Sequence, residues 1–386
     1  MSGARGTKGK RETTVPACPW LAPLSSLLLP WYDRQVRALP WRDTPTPYGV
    51  WVSEIMLQQT RIEAVLSYYD RFMKAFPTIR DLADAPEDVL MKQWEGLGYY
   101  SRARNLQKTA RMVRDTGLPA DYEALLRLPG IGEYTAGAIA SIAFGIPVPA
   151  VDGNVLRVLA RLMDCDADVM KPPVRRMMTQ VIAELVPPQR PGDFNQAVME
   201  LGETICLPNT DPDCKACPLA GICRGAAAGR ARELPVRSAA KEKRKETRTV
   251  LVLLAADRRG TRRVLLHRRP SKGLLAGLWE LPNVEGELTA RKAMDWAREK
   301  GCPSVKVTVL TDAKHLFSHV EWRMRGYCVE SASPPEEKEP NPDNVWASAE
   351  ELREKYALPG AFRAYSRMLP QWLEEGIPLS LFTESV

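Results

Sequence analysis

The sequence predicts a two-domain protein in which an all-α domain is followed by an α+β domain. Its 386 residues exceed what one compact core usually accommodates. From Leu21 to about Ala220, short segments of helical periodicity alternate with proline and glycine, and strand-like runs are rare. After Cys223 a small, charged stretch precedes segments that alternate like strands.

These changes in composition place the domain boundaries. Residues 1–20 are basic, small and polar, which predicts a disordered tail and, without an apolar segment, no secretory signal. The remaining predicted boundaries are an all-α region at 21–224, a linker at 225–247 and an α+β domain at 248–386.

In the second domain, apolar and alternating runs predict the strands, and periodicity predicts the helices. The predicted strands are Thr249–Ala255, Val264–Arg268, Ser304–Leu310 and Trp322–Val329, with helices near 288–300, 348–355 and 360–374.

Charge and hydropathy narrow the class of partner. The net charge is +7 and the pI about 8.9, an excess that suits a polyanion such as nucleic acid. No stretch approaches the roughly 18 uncharged apolar residues of a membrane helix. We therefore expect a globular protein that does not insert into membranes.

Four of the eight cysteines are crowded together. Cys206, Cys214, Cys217 and Cys223 form C-x7-C-x2-C-x5-C, and four soft thiolates this close suit either a structural zinc ion or a [4Fe–4S] cluster. Disulfides are disfavoured because no secretory signal precedes them.

A glycine-containing turn at 128–132 separates two helical segments. Gly130 and Gly132 permit positive φ and leave backbone N–H groups bare at a helix N-terminus, which suits one DNA phosphate. A lone pair of glycines is also compatible with an ordinary interhelix turn, but the flanking helices favour a helix-hairpin-helix motif.

Two acidic residues are candidates for catalysis. Glu54 shares one predicted helical stripe with Gln58 and Arg61, which is equally typical of a solvated polar face. Asp152 lies where a helix begins after Pro149, a position that also suits an N-cap.

Four strings identify a family. VWVSEIMLQQT, WEGLGYYSRARNL, LPGIGEYTAGAIAS and VDGNVLRVLAR, in this order before the cysteines, resemble MutY-type adenine DNA glycosylases of the endonuclease III superfamily. The resemblance extends from about Leu21 to Met368. It implies a helix-hairpin-helix glycosylase domain with a [4Fe–4S] cluster on the four cysteines, although the first cysteine gap has seven residues and the family usually has six. It also implies that the all-α region divides into a six-helix subdomain at about 43–150 and an iron–sulfur subdomain from 21–42 plus 151–224.

The resemblance also assigns chemical roles. It implies that Glu54 protonates adenine N7 and that Asp152 stabilises or transiently traps the sugar cation, as paired carboxylates do in glycoside hydrolysis. Tyr134 occupies the position at which glycosylase-lyases carry a Schiff-base lysine, so strand cleavage by that route is not expected. Asn154 matches a residue that hydrogen-bonds near the same site.

Further matches concern access to the base. A base within a duplex must be flipped out, and Gln59 and Tyr99 match the residues that fill the gap. Gln196 matches a position that contacts the flipped adenine, and Trp41 and Arg42 are expected to lie beside it.

The second domain resembles a Nudix fold. Its segment 294–301 keeps one glutamate in register, plus Asp295, so we expect no nucleotide hydrolase activity. Phe317, Ser318 and His319 match the loop that recognises 8-oxoguanine opposite adenine.

The combined prediction is a monofunctional adenine DNA glycosylase that acts on double-stranded DNA containing adenine opposite 8-oxoguanine or guanine. We expect a monomer, cytoplasmic in a bacterium and nuclear or mitochondrial in a eukaryote. The alternatives are a Nudix hydrolase with a DNA-binding appendix, which the degenerate segment argues against, and a DNA-binding protein without catalysis, which the presence of both Glu54 and Asp152 argues against.

Overall fold

The computed structural model describes residues 17–239, 242–257, 259–300, 302, 304–331 and 341–377. These form two compact units. The helical unit consists of residues 17–83 and 105–239, and the sheet unit consists of residues 84–104 together with those from 242 onward. Residues 84–104 thus group with the C-terminal part of the chain, although the sequence placed them in the six-helix subdomain.

Before the cysteines, the described part of the chain contains twelve α-helices, several of which are very short. They are α1 (Leu24–Gln35), α2 (Pro40–Asp43), α3 (Pro47–Leu57), α4 (Ile62–Ala75), α5 (Ile79–Asp84), α6 (Glu87–Trp94), α7 (Ser101–Met112), α8 (Tyr122–Leu126), α9 (Glu133–Phe144), α10 (Gly153–Met163), α11 (Pro172–Ala183) and α12 (Pro191–Thr204). A thirteenth, α13 (Arg224–Ala227), follows the cysteines.

Small residues let α9 pack closely within the helical unit. This helix contacts α3 and α12, and it is rich in alanine and glycine. A Cβ on Gly137 would lie 2.1 Å from the Pro149 carbonyl oxygen, and one on Gly192 would lie 2.8 Å from the Ile142 Cα. Such approaches are possible only without a side chain, and they bring α12 and the segment before α10 against α9.

Two predicted boundaries need correction. Residues 1–16 of the predicted tail lie outside the described residues, but Pro19–Leu21 is a short 3₁₀ helix, and Cys18 and Trp20 pack on the helical core. The predicted linker begins as α13, and its Leu234 is buried, with a carbonyl that accepts a hydrogen bond from Arg161 Nε. Burial of that leucine in the helical unit removes its freedom as a linker residue.

The sheet unit is built on a mixed sheet. Its strands are β1 (Arg244–Ala256), β2 (Arg262–Arg268), β3 (Trp279–Glu280), β4 (Asn283–Glu285), β5 (Ser304–Leu316), β6 (Val320–Ser331) and β7 (Asn344–Ala347), and its remaining helices are α14 (Ala290–Glu299), α15 (Ala349–Glu354), α16 (Arg363–Ser366) and α17 (Leu369–Glu374).

In this sheet, β1 runs parallel to β6 and antiparallel to β2, while β5 and β6 form an antiparallel hairpin. All four predicted strands are present, and the three short strands β3, β4 and β7 were not predicted. A larger apolar core lies on one side of the sheet and a smaller one, with α14, on the other. The β5–β6 turn carries Phe317, Ser318 and His319.

Among the described residues, no helix has the length and apolar character needed to cross a bilayer.

The contact at Gly137 provides a test of the fold. We expect Gly137→Ala to lower the free energy of unfolding by about 2 kcal/mol or more, because the new methyl group would meet a main-chain oxygen that cannot move aside. Urea unfolding followed by circular dichroism measures this. Gly153→Ala is the matched control, since a Cβ there meets open space. Equal stabilities of the two variants would contradict the packing described.

Candidate active site and DNA-contacting loops

A cavity of about 1100 Å³ opens in the helical unit. It is of the size of a small-molecule binding pocket. Nine of the residues singled out from the sequence line it, namely Trp41, Arg42, Glu54, Gln59, Gly132, Tyr134, Asp152, Asn154 and Gln196. The fold therefore gathers in one place residues that are separated by up to 155 positions in the chain.

Glu54 lies in the apolar helix α3 and is only 6% exposed. Burial, opposed by a hydrogen bond from Tyr134 and assisted by the nearby Asp152, raises the pKa of its carboxyl from 4.5 to about 7. The predicted stripe with Gln58 and Arg61 is wrong, because α3 ends at Leu57 and Arg61 precedes α4. Glu54 is thus a buried acid and does not belong to a solvated polar face.

Tyr134 lies in the first turn of α9. Its hydroxyl donates a hydrogen bond of 2.6 Å to Glu54 Oε2 and also lies 3.3 Å from Met199 Sδ. Burial raises the pKa of the hydroxyl well above its ordinary value, so the tyrosine is neutral and acts as a donor. A phenol has no amine with which to form a Schiff base.

Asp152 is the N-cap of α10, as the simpler interpretation of the sequence suggested. One carboxylate oxygen accepts the Val155 N–H at 2.8 Å, and the other accepts from Asn154 Nδ2 at 2.9 Å. Burial raises the pKa of this carboxyl, while hydrogen bonds from the backbone N–H groups of Val155 and Asn154 and the Arg157 guanidinium oppose the rise. Asp152 can cap α10 and line the cavity at the same time, because the capping hydrogen bond fixes its carboxylate at the edge of the cavity.

Arg157 connects this end of the cavity to the cysteine loop. Its Nη2 donates to Asn154 Oδ1 at 2.8 Å, and its Nε donates to the Cys206 carbonyl at 2.7 Å. Arg161, one turn further along α10, donates to Cys206 Sγ at 3.1 Å and to the Leu207 carbonyl at 3.0 Å. Both arginines are buried, so α10 joins the loop firmly to Asp152.

The four predicted cysteine ligands lie near one another and none is in a disulfide. Burial and the neighbouring thiols Cys206, Cys214 and Cys223 raise the pKa of Cys217 to about 11. Within the described residues, no three His, Cys, Asp or Glu side chains converge as a single metal ion requires. Four thiols in one neighbourhood are a donor set that suits either a zinc ion or a [4Fe–4S] cluster.

Of the two hairpin glycines, Gly130 adopts a positive φ, as the sequence allows, whereas Gly132 has an extended conformation with φ of −94°. Gly130 has φ of +77°, and a Cβ there would lie 2.7 Å from Asn105 Cβ. Gly132 is the N-cap of α9 and has open space beside it. The turn therefore exposes backbone N–H groups at a helix N-terminus, where anions bind.

Gln59 and Tyr99 share an unusual backbone conformation. Their φ angles are +59° and +47°, a left-handed region that non-glycine residues rarely adopt and that often marks functional sites. Tyr99 is 47% exposed. The sequence could not show this strain, although the flanking Gly96 and Gly98 indicate a tight turn.

The loop between β5 and β6 presents the predicted Phe-Ser-His segment. Phe317 packs edge-on against His315 and the buried Trp322, with ring centroids 4.5 and 5.0 Å apart. Ser318 Oγ and His319 Nδ1 share a hydrogen bond of 3.2 Å and are exposed. The phenylalanine anchors the turn and leaves two polar side chains in solvent.

Sequence reasoning missed an ion-pair network at the cavity. Glu200 is buried, and its carboxylate pairs with Arg37 at 2.5 Å and Arg42 at 3.0 Å. Arg37 also pairs with Glu203 at 2.6 Å. Helical spacing could have indicated the two glutamates, because Glu200 and Glu203 follow Gln196 at i+4 and i+7 on α12. No local sequence pattern indicated Arg37.

The neighbouring Asn195 was also missed. Its amide accepts the Ala150 N–H at 3.1 Å and donates to the Val148 carbonyl at 2.9 Å. It thereby pins the segment that leads into Asp152.

The chain matches two families of known proteins. Residues 52–188 match the HhH-GPD superfamily base excision DNA repair proteins, and residues 250–368 match the NUDIX domain. The adenine DNA glycosylase of Mus musculus is 38% identical over 85% of this chain and 74% of its own length, and that of Homo sapiens is 36% identical over 89% and 74%.

Among solved structures, a thermostable thymine-DNA glycosylase aligns with a TM-score of 0.50 and 28% identity, covering 54% of this chain and 98% of that one. The family and fold predicted from the four strings are confirmed. The chain belongs to the adenine DNA glycosylases of base excision repair, with a helix-hairpin-helix domain followed by a Nudix-like domain.

Proposed function

We propose that this protein hydrolyses the N-glycosidic bond of adenine paired with 8-oxoguanine or guanine in double-stranded DNA. The observation that carries the proposal is the pairing, in one cavity, of a buried acid whose pKa is about 7 with a second, hydrogen-bonded carboxylate. Two carboxyl groups in different environments can serve as proton donor and anion in the same reaction.

Glu54 is the proton donor. As the bond breaks, the base accumulates negative charge, and a proton delivered to adenine N7 makes it a neutral leaving group. A carboxyl with a pKa near 7 keeps a substantial protonated fraction at neutral pH and remains acidic enough to transfer its proton. Tyr134 holds this carboxyl in place through the hydroxyl bond to Oε2.

Asp152 supplies the negative charge. The sugar left behind is an oxocarbenium ion, which a carboxylate stabilises or captures until water adds. The Val155 N–H and Asn154 hold the two oxygens in fixed positions and favour the ionised form. Because Tyr134 replaces the Schiff-base lysine, the product is an intact strand with an abasic site.

The target base must leave the helix to reach this cavity, which is large enough for a flipped nucleotide. Gln59 and Tyr99 fill the gap and stack beside the opposing base, Gly130 and Gly132 hold a phosphate, and Trp41, Arg42 and Gln196 surround the adenine. Phe317, Ser318 and His319 read the opposing 8-oxoguanine, with Ser318 as the principal contact.

The four cysteines hold a [4Fe–4S] cluster in this proposal. When bound, the cluster ties together the loop against which Arg157 and Arg161 lie. Purified protein is therefore expected to be brown, with visible absorbance that disappears in a Cys217→Ala variant. Colourless protein containing stoichiometric zinc would contradict this assignment.

Removal of the proton donor tests the chemistry. We expect Glu54→Gln to lower the single-turnover rate about a thousandfold, because general acid catalysis is lost, while binding to an adenine:8-oxoguanine duplex is retained. The wild-type product should break only after alkali treatment. Retained turnover in the variant would refute the role of Glu54, and strand breaks before alkali would indicate a lyase.

The pH dependence tests the assigned ionisation states. The rate should fall about tenfold per pH unit above about 7, where Glu54 loses its proton, and also at low pH, where Asp152 gains one. The Tyr134 hydrogen bond lowers the pKa of Glu54, so Tyr134→Phe should move the alkaline limb to higher pH. We would measure single-turnover rates across pH; a limb that stays in place or moves to lower pH would contradict the proposal.

Lesion recognition is tested at the β5–β6 turn. Replacing Ser318 and His319 by alanine should reduce the preference for 8-oxoguanine over guanine opposite adenine by about tenfold, because hydrogen bonds to the lesion are lost. The measurement is the ratio of single-turnover rates on the two duplexes. Ser271→Ala, an exposed serine elsewhere in the same unit, is the control. An unchanged ratio in the double variant would show that the lesion is read elsewhere.

A further inference from the structure

The turn that carries Tyr99 belongs to the same compact unit as the Phe-Ser-His turn. The wedge turn, residues 95–100, lies between α6 and α7, and residues 84–104 group with the C-terminal part of the chain. Both segments proposed to face the base opposite adenine are therefore in the sheet unit. The cavity proposed for adenine is lined by residues of the helical unit alone.

Two charged side chains fasten the wedge turn within the sheet unit. Lys92 Nζ donates to the Leu352 carbonyl at 2.7 Å, and the Leu358 N–H donates to Glu95 Oε1 at 2.7 Å. Lys92 and Glu95 also pair with each other at 2.6 Å, with side chains only 16% and 30% exposed. Leu352 and Leu358 are buried, so both anchor points lie on ordered backbone.

The fastening is close to Tyr99 and the intervening turn is stiff. Trp94 Nε1 donates to the Gly98 carbonyl at 3.1 Å, and Arg102 Nη2 donates to the carbonyls of Leu97 and Gly98 at 3.1 and 3.3 Å. The Arg102 guanidinium lies 5.5 Å from the ring centroids of both Trp94 and Tyr99. A displacement of Glu95 would therefore be transmitted to Tyr99.

A positive φ is a strained backbone conformation for a tyrosine, and it persists only where the surrounding contacts hold it. The contacts within the wedge turn help to hold Tyr99 in this conformation. The hydrogen bonds of Lys92 and Glu95 connect the wedge turn to the C-terminal chain. Charge-assisted hydrogen bonds are among the stronger polar contacts available for such a purpose.

We propose that Lys92 and Glu95 are positioning residues. Through their contacts, the C-terminal chain, which reads the opposing base, also sets the position of the Tyr99 wedge. This inference rests on the proposed role of Tyr99 and extends it. No contact between Glu95 and DNA is required, because the carboxylate acts through the wedge turn.

A double-mutant cycle tests whether Glu95 acts through Tyr99. The variants are Glu95→Ala, Tyr99→Ala and their combination, and the measurement is the single-turnover rate on an adenine:8-oxoguanine duplex. We expect Glu95→Ala to slow the reaction about tenfold, since a charge-assisted hydrogen bond and an ion pair are both lost. In the Tyr99→Ala background the same substitution should have almost no effect.

A control at the other end of α6 separates this role from general destabilisation. Glu87 forms an exposed ion pair with Arg104 at 2.7 Å, so Glu87→Ala should leave the rate nearly unchanged. Should Glu95→Ala fail to fold, Glu95→Gln serves in the cycle, because its amide oxygen can still accept from Leu358 while the pairing with Lys92 is lost. Thermal melting of each variant establishes that it is folded.

The outcomes are distinguishable. A loss caused by Glu95→Ala that is equally large with and without Tyr99 would overturn this inference and leave the wedge role intact. A wild-type rate for Tyr99→Ala would instead remove the wedge role from the proposed function, and the inference with it. If Glu95→Ala slows the reaction when Tyr99 is present but not in the Tyr99→Ala background, the positioning role is supported.

Discussion

The proposed chemistry depends on keeping one carboxylic acid protonated at neutral pH inside the protein. Glu54 achieves this through burial in α3, where charge is poorly solvated and the neutral form is favoured. A buried polar group is tolerated only when it is hydrogen-bonded, and Tyr134 supplies that bond from α9. The packing of α9 against α3 therefore places the hydroxyl and the acid together, and five of the twelve residues of α9 are alanine or glycine.

The second carboxylate meets the opposite requirement. In the proposed mechanism Asp152 carries charge in the same cavity, and donors at the N-terminus of α10 bind its two oxygens. The buried Arg157 and Arg161 of the same helix bind the Cys206 loop. One helix thus has at its N-cap the carboxylate proposed to stabilise the sugar cation, and its middle binds the cysteine loop. The position of the loop is therefore coupled to that of the carboxylate in the cavity.

Much of this architecture could be predicted from the sequence, because local sequence patterns determine it. Helical periodicity interrupted by proline and glycine identified the helices, and apolar and alternating runs identified the strands β1, β2, β5 and β6. The sequence strings around Glu54 and Asp152 identified residues of the cavity. Features that depend on tertiary packing could not be predicted. The end of α3 before Gln58, the burial of Leu234 and the pairing of Arg37 with Glu200 arise from contacts between segments far apart in the chain.

The grouping of residues 84–104 is the clearest example. These residues are helical in pattern and flanked by helices of the glycosylase domain, so local signals assigned them there. Lys92 and Glu95 instead bind backbone groups more than 250 positions away, which periodicity cannot indicate. The strained φ of Tyr99 is similar, since only the hint from Gly96 and Gly98 was present in the sequence.

The protonation of Glu54 can be observed directly. Difference infrared spectroscopy of the wild-type protein against Glu54→Gln isolates the carboxyl band of this one residue while the pH is varied. The account predicts that the protonated band persists at neutral pH and disappears with a midpoint of about 7. A midpoint near 4.5, the ordinary value for glutamate, would contradict the central claim that burial keeps the acid ready to donate.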